Sequence, residues 1–104
     1  MLPEQELQSI LAHSFEIDFP EMISKEKIIE VLSWRVDKLI EGNPDKLFSM
    51  LYRLDISERK IKEAMATDNE VTKKIAVLIY ERQLEKIISR RNFSAETPDD
   101  DLAW

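Results

Sequence analysis

One glycine, Gly42, stands among 104 residues that include no cysteine. Glycine supplies the φ > 0 positions of phosphate-cradling loops, β-hairpin turns and strained catalytic elbows, and one glycine at the end of a helical stretch builds none of them. The missing cysteines remove disulfides, thiolate catalysis and cysteine-ligated zinc together. What remains is a chain whose apolar residues recur at helical spacing almost throughout. It is long enough for one domain that buries about two-thirds of its unfolded surface around one core.

Hydrophobic residues at 43% and charged residues at 35% fit a soluble globular protein. Met1 to Glu6 contain no basic start followed by an apolar run, and no stretch approaches the ~18 apolar residues of a membrane span. A cytoplasmic protein without a membrane partner is therefore expected. The net charge of −6 opposes nucleic acid, whose affinity for proteins rests on phosphate neutralisation. That charge is uneven. Four of the 21 acidic residues, Glu96, Asp99, Asp100 and Asp101, sit in the last eleven positions without a base, leaving seventeen against all 15 basic residues over 1–93. The expected organisation is a nearly neutral helical domain, 1–93, and an acidic segment, 94–104, that does not continue the last helix.

The periodicity predicts five helices. Leu7, Ile10 and Leu11 give a short first helix from Glu4 to His13, after which Phe15, Ile17 and Phe19 alternate with Glu16 and Asp18. Pro20 favours extended geometry before it, so 14–20 reads as an extended connector on the core. Ser24 caps a second helix to Glu41, with Ile28, Ile29, Leu32, Val36, Leu39 and Ile40 as its apolar stripe. Gly42 is placed as a left-handed residue just past that helix, and Asn43-Pro44 as cap and first turn of the third. The third helix, Pro44 to Leu54, carries Leu47, Phe48, Leu51 and Leu54. Ser57 caps a fourth with Ile61, Ala64 and Met65 inward, and Thr67 to Glu70 has capping-box spacing ahead of a long fifth helix ending near Asn92.

The segments Pro44-Asp45-Lys46-Leu47-Phe48-Ser49-Met50-Leu51-Tyr52-Arg53-Leu54-Asp55 and Ala76-Val77-Leu78-Ile79-Tyr80-Glu81-Arg82-Gln83 resemble a group of short, uncharacterised bacterial all-α proteins. The likeness spans residues 40–92 in sequence texture. It implies a bacterial cytosolic source and carries no catalytic signature or functional residues to transfer.

The fifth helix does not show one apolar stripe. At 100° per residue, Val71, Ile75, Leu78 and Ile79 fall on one side and Val77, Tyr80, Leu84, Ile87 and Ile88 on nearly the opposite side. Its first half is thus expected between layers, and its second half to bury one face while Arg82, Lys86 and Arg90 face water. At ~1.5 Å per residue this helix is about 35 Å long, whereas the third and fourth reach about 17 and 14 Å. Leu84, Ile87 and Ile88 need another cover, supplied by the first two helices or by a second subunit. Trp34 lies opposite the second helix's stripe, where it is covered by the chain itself, incidentally exposed, or a partner's anchor.

Other constellations are weak. Arg59, Lys60 and Lys62 sit early in helix 58–66 as a DNA reader would place them, but Glu58 and Glu63 dilute the charge. Three consecutive aspartates lack the spaced loop of a calcium site. His13 is the sole histidine, against a histidine-rich zinc site or a Ser-His-Asp relay. No catalytic, cofactor, metal or small-molecule site is nominated. In 94–104, Leu102 and Trp104 follow the aspartates, and an acidic segment with an aromatic anchor can dock on bases such as Arg82, Lys86, Arg90 and Arg91.

The sequence therefore reads as an all-α, five-helix, bundle-like domain without catalysis, acting in protein–protein interaction and self-associating. Its candidate contact residues are Trp34, Leu84, Ile87, Ile88, Leu102 and Trp104. The alternative is a nucleic-acid-binding regulator using helix 58–66 or the basic row of helix 70–92.

Overall fold

Among the described residues five helices follow one another: α1 (Pro3–Phe15), α2 (Lys25–Gly42), α3 (Pro44–Arg53), α4 (Glu58–Ala66) and α5 (Val71–Glu96). The computed structural model describes residues 3–19, 24–67 and 69–96, and among these there is no strand. The all-α single domain expected from the periodicity is what forms. At 26 residues α5 runs about 39 Å and is the central element, packing most extensively on α2 and also on α1 and α4, while α3 packs on α2.

The helix starts follow capping chemistry. Ser24 Oγ accepts from the Lys27 N–H at 3.2 Å, Asn43 Oδ1 from Lys46 N–H at 3.2 Å and Ser57 Oγ from Lys60 N–H at 3.4 Å. The helix ends depart from expectation. Gly42 is the last residue of α2 and has no positive φ; a Cβ there would meet nothing within 4 Å. Asn43 (φ −156°, ψ 74°) makes the corner instead, closing α2 through its N–H to the Leu39 carbonyl at 2.8 Å and opening α3 with its side chain.

Among the described residues the left-handed positions are Glu16, Asp55 and Glu70, with φ of 55°, 64° and 52°. Glu16 reverses the chain after Phe15, and the Ile17 N–H reaches back to the Ala12 carbonyl at 3.0 Å. Asp55 does the same after α3, with Ile56 N–H donating to Leu51 O at 3.1 Å. Both are the 6→1 closures of a Schellman motif, with carboxylates where glycine is usual. Residues 14–20 are thus not wholly an extended connector, because α1 continues through a fully buried Phe15.

The capping box at Thr67 does not form. Thr67 Oγ1 donates to the Ala64 carbonyl at 2.8 Å, closing α4, and Glu70 opens α5 by accepting from Lys74 N–H at 2.9 Å. Helix α5 also runs four residues past Asn92, to Glu96, so it enters the segment expected to lie outside it.

One core joins all five helices: Leu7, Leu11 and Phe15 of α1, five α2 residues, Leu47, Met50 and Leu51 of α3, Ile61 and Ala64 of α4, and the α5 face. Two expectations are corrected here. Phe48 and Met65 are 39% and 45% exposed, and Met50 takes the inward place on α3. The stripe Leu47, Met50, Leu51, Leu54 has i, i+3, i+4, i+7 spacing, which leaves Phe48 on its edge.

Candidate functional site

The buried face of α5 is single. Ile75, Ala76, Ile79, Tyr80, Gln83 and Ile87 are buried, whereas Val77, Leu78 and Leu84 are half-buried and Ile88 is 41% exposed. The two apolar sides expected from the sequence are the flanks of one stripe whose middle is filled by alanine and glutamine. Gln83 is tolerated inside because its Nε2 donates to the Leu54 carbonyl at 2.9 Å, which satisfies the end of α3. Nothing in the spacing of apolar residues marks that position.

On one flank, Arg82, Lys86 and Arg90 form an i, i+4 row beside Ile10 of α1. With Gln83 and Ile87 they line an open groove of about 650 Å³. The cations are not simply solvated. Arg82 donates from Nε to the Asp55 carbonyl at 3.1 Å and from NH2 to Asp55 Oδ2 at 2.6 Å, and it also pairs with Glu85. Arg90 and Arg91 share one carboxylate, Glu6 of α1, at 3.1 and 2.8 Å. These pairs pin α3 and α1 to α5.

Their titration follows from the geometry. The hydrogen bond from Arg91 holds the Glu6 carboxyl below its ordinary value of 4.5, and that from Arg82 holds Asp55 below 3.8. Folded-state values that are lowered contribute stability present above the ordinary values and lost as pH falls through them toward the folded ones. Acid unfolding of the double variant Glu6→Gln/Asp55→Asn is accordingly expected to show a flatter limb below about pH 4.5 than the wild type. An identical acid limb would mean that neither pair forms in solution. Burial, reinforced by the charges of Glu4 and Glu26, pushes the Tyr80 hydroxyl up, and the Lys25 ammonium lies 5.5 Å from its ring centroid.

On the opposite flank, Leu84 and Ile88 follow each other by one turn, with Val77 two turns before Leu84. Leu84 packs partly against the core and Ile88 projects from it. Ile87, expected beside them as a contact residue, is 1% exposed and belongs to the interior, where α1 and α2 cover α5. Trp34 is 62% exposed, and the Lys38 ammonium lies over its ring, 5.7 Å from the centroid. Tyr52, on the outer side of α3 with Phe48, is 84% exposed. Leu102 and Trp104 lie outside the described residues. The structure thus brings Leu84 and Ile88 together and leaves Trp34 on a different helix.

Two of the three basic residues of α4 are paired along their own helix, Arg59 with Glu63 at 3.8 Å and Lys62 with Glu58 at 3.4 Å. Among the described residues no three His, Cys, Asp or Glu side chains cluster as metal ligands, and no helix is long and apolar enough to cross a membrane. No family model, curated protein or solved structure matches the chain.

Proposed function

We propose that this chain is a small, non-catalytic, cytoplasmic helical module for protein–protein interaction, and that it associates with a second copy of itself through the Leu84–Ile88 flank of α5. The observation that carries this reading is Ile88: a branched aliphatic side chain, 41% exposed, next to a half-buried leucine on the central helix. A two-fold contact pairs such a patch with itself. Charge does not oppose it, since residues 1–93 are close to neutral. A stable interface buries at least ~1,000 Å² in total, so the contact extends along the same side of α5 toward the half-buried Val77. The pairing of Arg59, Lys62, Arg82, Arg90 and Arg91 with carboxylates of the chain favours this reading over nucleic-acid binding, because paired bases neutralise few phosphates.

Light scattering at micromolar concentration is expected to give a dimer. Ile88→Glu is expected to give a monomer of unchanged helicity, because a dimer would bury an unpaired carboxylate. A monomeric wild type, or a dimer indifferent to Ile88→Glu, would remove the proposal.

A further inference from the structure

An open groove of about 500 Å³ lies between α4 and α5 at Val77. Val77 and Leu78, both half-buried, and the nearly buried Ala64 form its floor, and Lys60, Glu63, Lys73 and Lys74 form its rim. Val77 and Ile88 are eleven positions apart on α5. At 100° per residue that leaves them about 20° apart around the helix and about 17 Å apart along it. The groove and Ile88 therefore face the same way, a hollow at one end of the flank and a projecting side chain, 41% exposed, at the other. With nine residues, about 14 Å, α4 flanks only part of α5 and leaves the Ile88 end of this side open.

We propose that a second copy of the chain docks antiparallel on this side, so that the Ile88 of each copy seats in the α4–α5 groove of the other, about a two-fold axis level with Arg82 and Gln83. The inference rests on the self-association read above and adds its direction and its receiving groove. In a two-fold contact any pairing of two positions occurs twice. The antiparallel pair thus covers both Ile88 side chains and fills both grooves. A parallel pair sets Ile88 against Ile88 and groove against groove, which leaves both grooves unfilled. Charge favours the same direction. Parallel copies place Lys73, Lys74 and Glu81 each level with its own counterpart, like charge beside like charge. Antiparallel copies hold the two sets of lysines about 27 Å apart along the axis and put Glu81 level with the partner's Leu84. The base that comes level with Lys74, Arg91, is already paired with Glu6 of its own chain.

The chain has no cysteine, so introduced thiols report the pairing without background. Val77→Cys and Ile88→Cys are mixed in equal amounts under mild oxidation, and cross-linked dimer is read on a non-reducing gel. The mixture is expected to give severalfold more cross-linked dimer than either variant alone, because the antiparallel pair sets position 77 against 88 and holds like positions about 17 Å apart, beyond the reach of a disulfide. Lys74→Cys mixed with Asn92→Cys, two polar positions in the same register, is expected to behave alike and serves if changing the apolar pair weakens the dimer. Cross-linking of Ile88→Cys with itself in preference to the mixture would make the pair parallel and overturn the inference, with self-association left standing. So would the lack of cross-links in both mixtures while light scattering shows the wild type to be a dimer. A monomeric wild type would remove the self-association reading and this inference with it.

Discussion

Replacing Phe15 by alanine is expected to lower the unfolding free energy by about 3–5 kcal/mol, the cost of deleting a buried aromatic ring and leaving a cavity. The ring has no exposed surface, and it ends α1 at the point where the chain reverses. Glu16 follows in a left-handed conformation, which costs a non-glycine residue roughly 1–2 kcal/mol. That conformation persists because its surroundings fix it. The Phe15 carbonyl accepts from Arg35 Nε of α2 at 3.0 Å, Lys46 of α3 reaches the Glu16 carboxylate at 3.4 Å, and Ile17 and Phe19 pack on the core beyond it. Without the ring, the α1–α2 junction loses the anchor that offsets the strain. Urea unfolding followed by circular dichroism measures the loss, and a value under about 1 kcal/mol would mean that the end of α1 is not part of the cooperative core.

The second large effect separates neighbouring residues of α5. Ile79→Ala is expected to cost about 2–5 kcal/mol, because Ile79 is fully buried on the helix that α1, α2 and α4 all touch. Leu78→Ala is expected to cost no more than about 1–2 kcal/mol, because its side chain is already half in water. The difference discriminates between two geometries. A helix sandwiched between layers would lose comparable stability at both positions, whereas a helix with one buried face loses it at Ile79. Equal losses in the same urea titration would contradict the single-face packing.

Much of the fold is legible in the sequence because α2, α3 and α4 announce themselves through side chains that act locally. Ser24, Asn43 and Ser57 cap where their hydroxyl or amide oxygens meet the third residue's N–H, and the α2 stripe lies inside as its period requires. The helix ends are less legible, because glycine is the residue that ordinarily marks a left-handed position. Among the described residues Glu16, Asp55 and Glu70 take φ > 0, and Gly42 stays helical. The compensation for two of these residues is long-range: Lys46 for Glu16 and Arg82 for Asp55. No local pattern contains those pairings.

The candidate site was partly legible for a related reason. The middle of the buried α5 face consists of Ala76 and Gln83, so counting apolar side chains finds its flanks and divides one stripe into two. Gln83 is inside because α3 ends nearby with a carbonyl that needs a donor, a tertiary fact absent from the helix's own sequence. The same division groups Ile87 with Leu84 and Ile88, although Ile87 belongs to the buried face and they belong to its edge. The basic row was visible as a row, but its engagement by Glu6 spans more than 80 positions and becomes apparent only when α1 lies along α5.

Self-association through the α5 flank is tested most directly by following the backbone amide resonances of the ¹⁵N-labelled wild-type chain as it is diluted through the micromolar range. Concentration-dependent shifts are expected at Leu84 and Ile88 and along the same side of α5 toward Val77, with α3, including Phe48 and Tyr52, unchanged. Spectra that do not change with concentration, or changes confined to α3 or to Trp34, would contradict the assignment of this flank as the contact between copies.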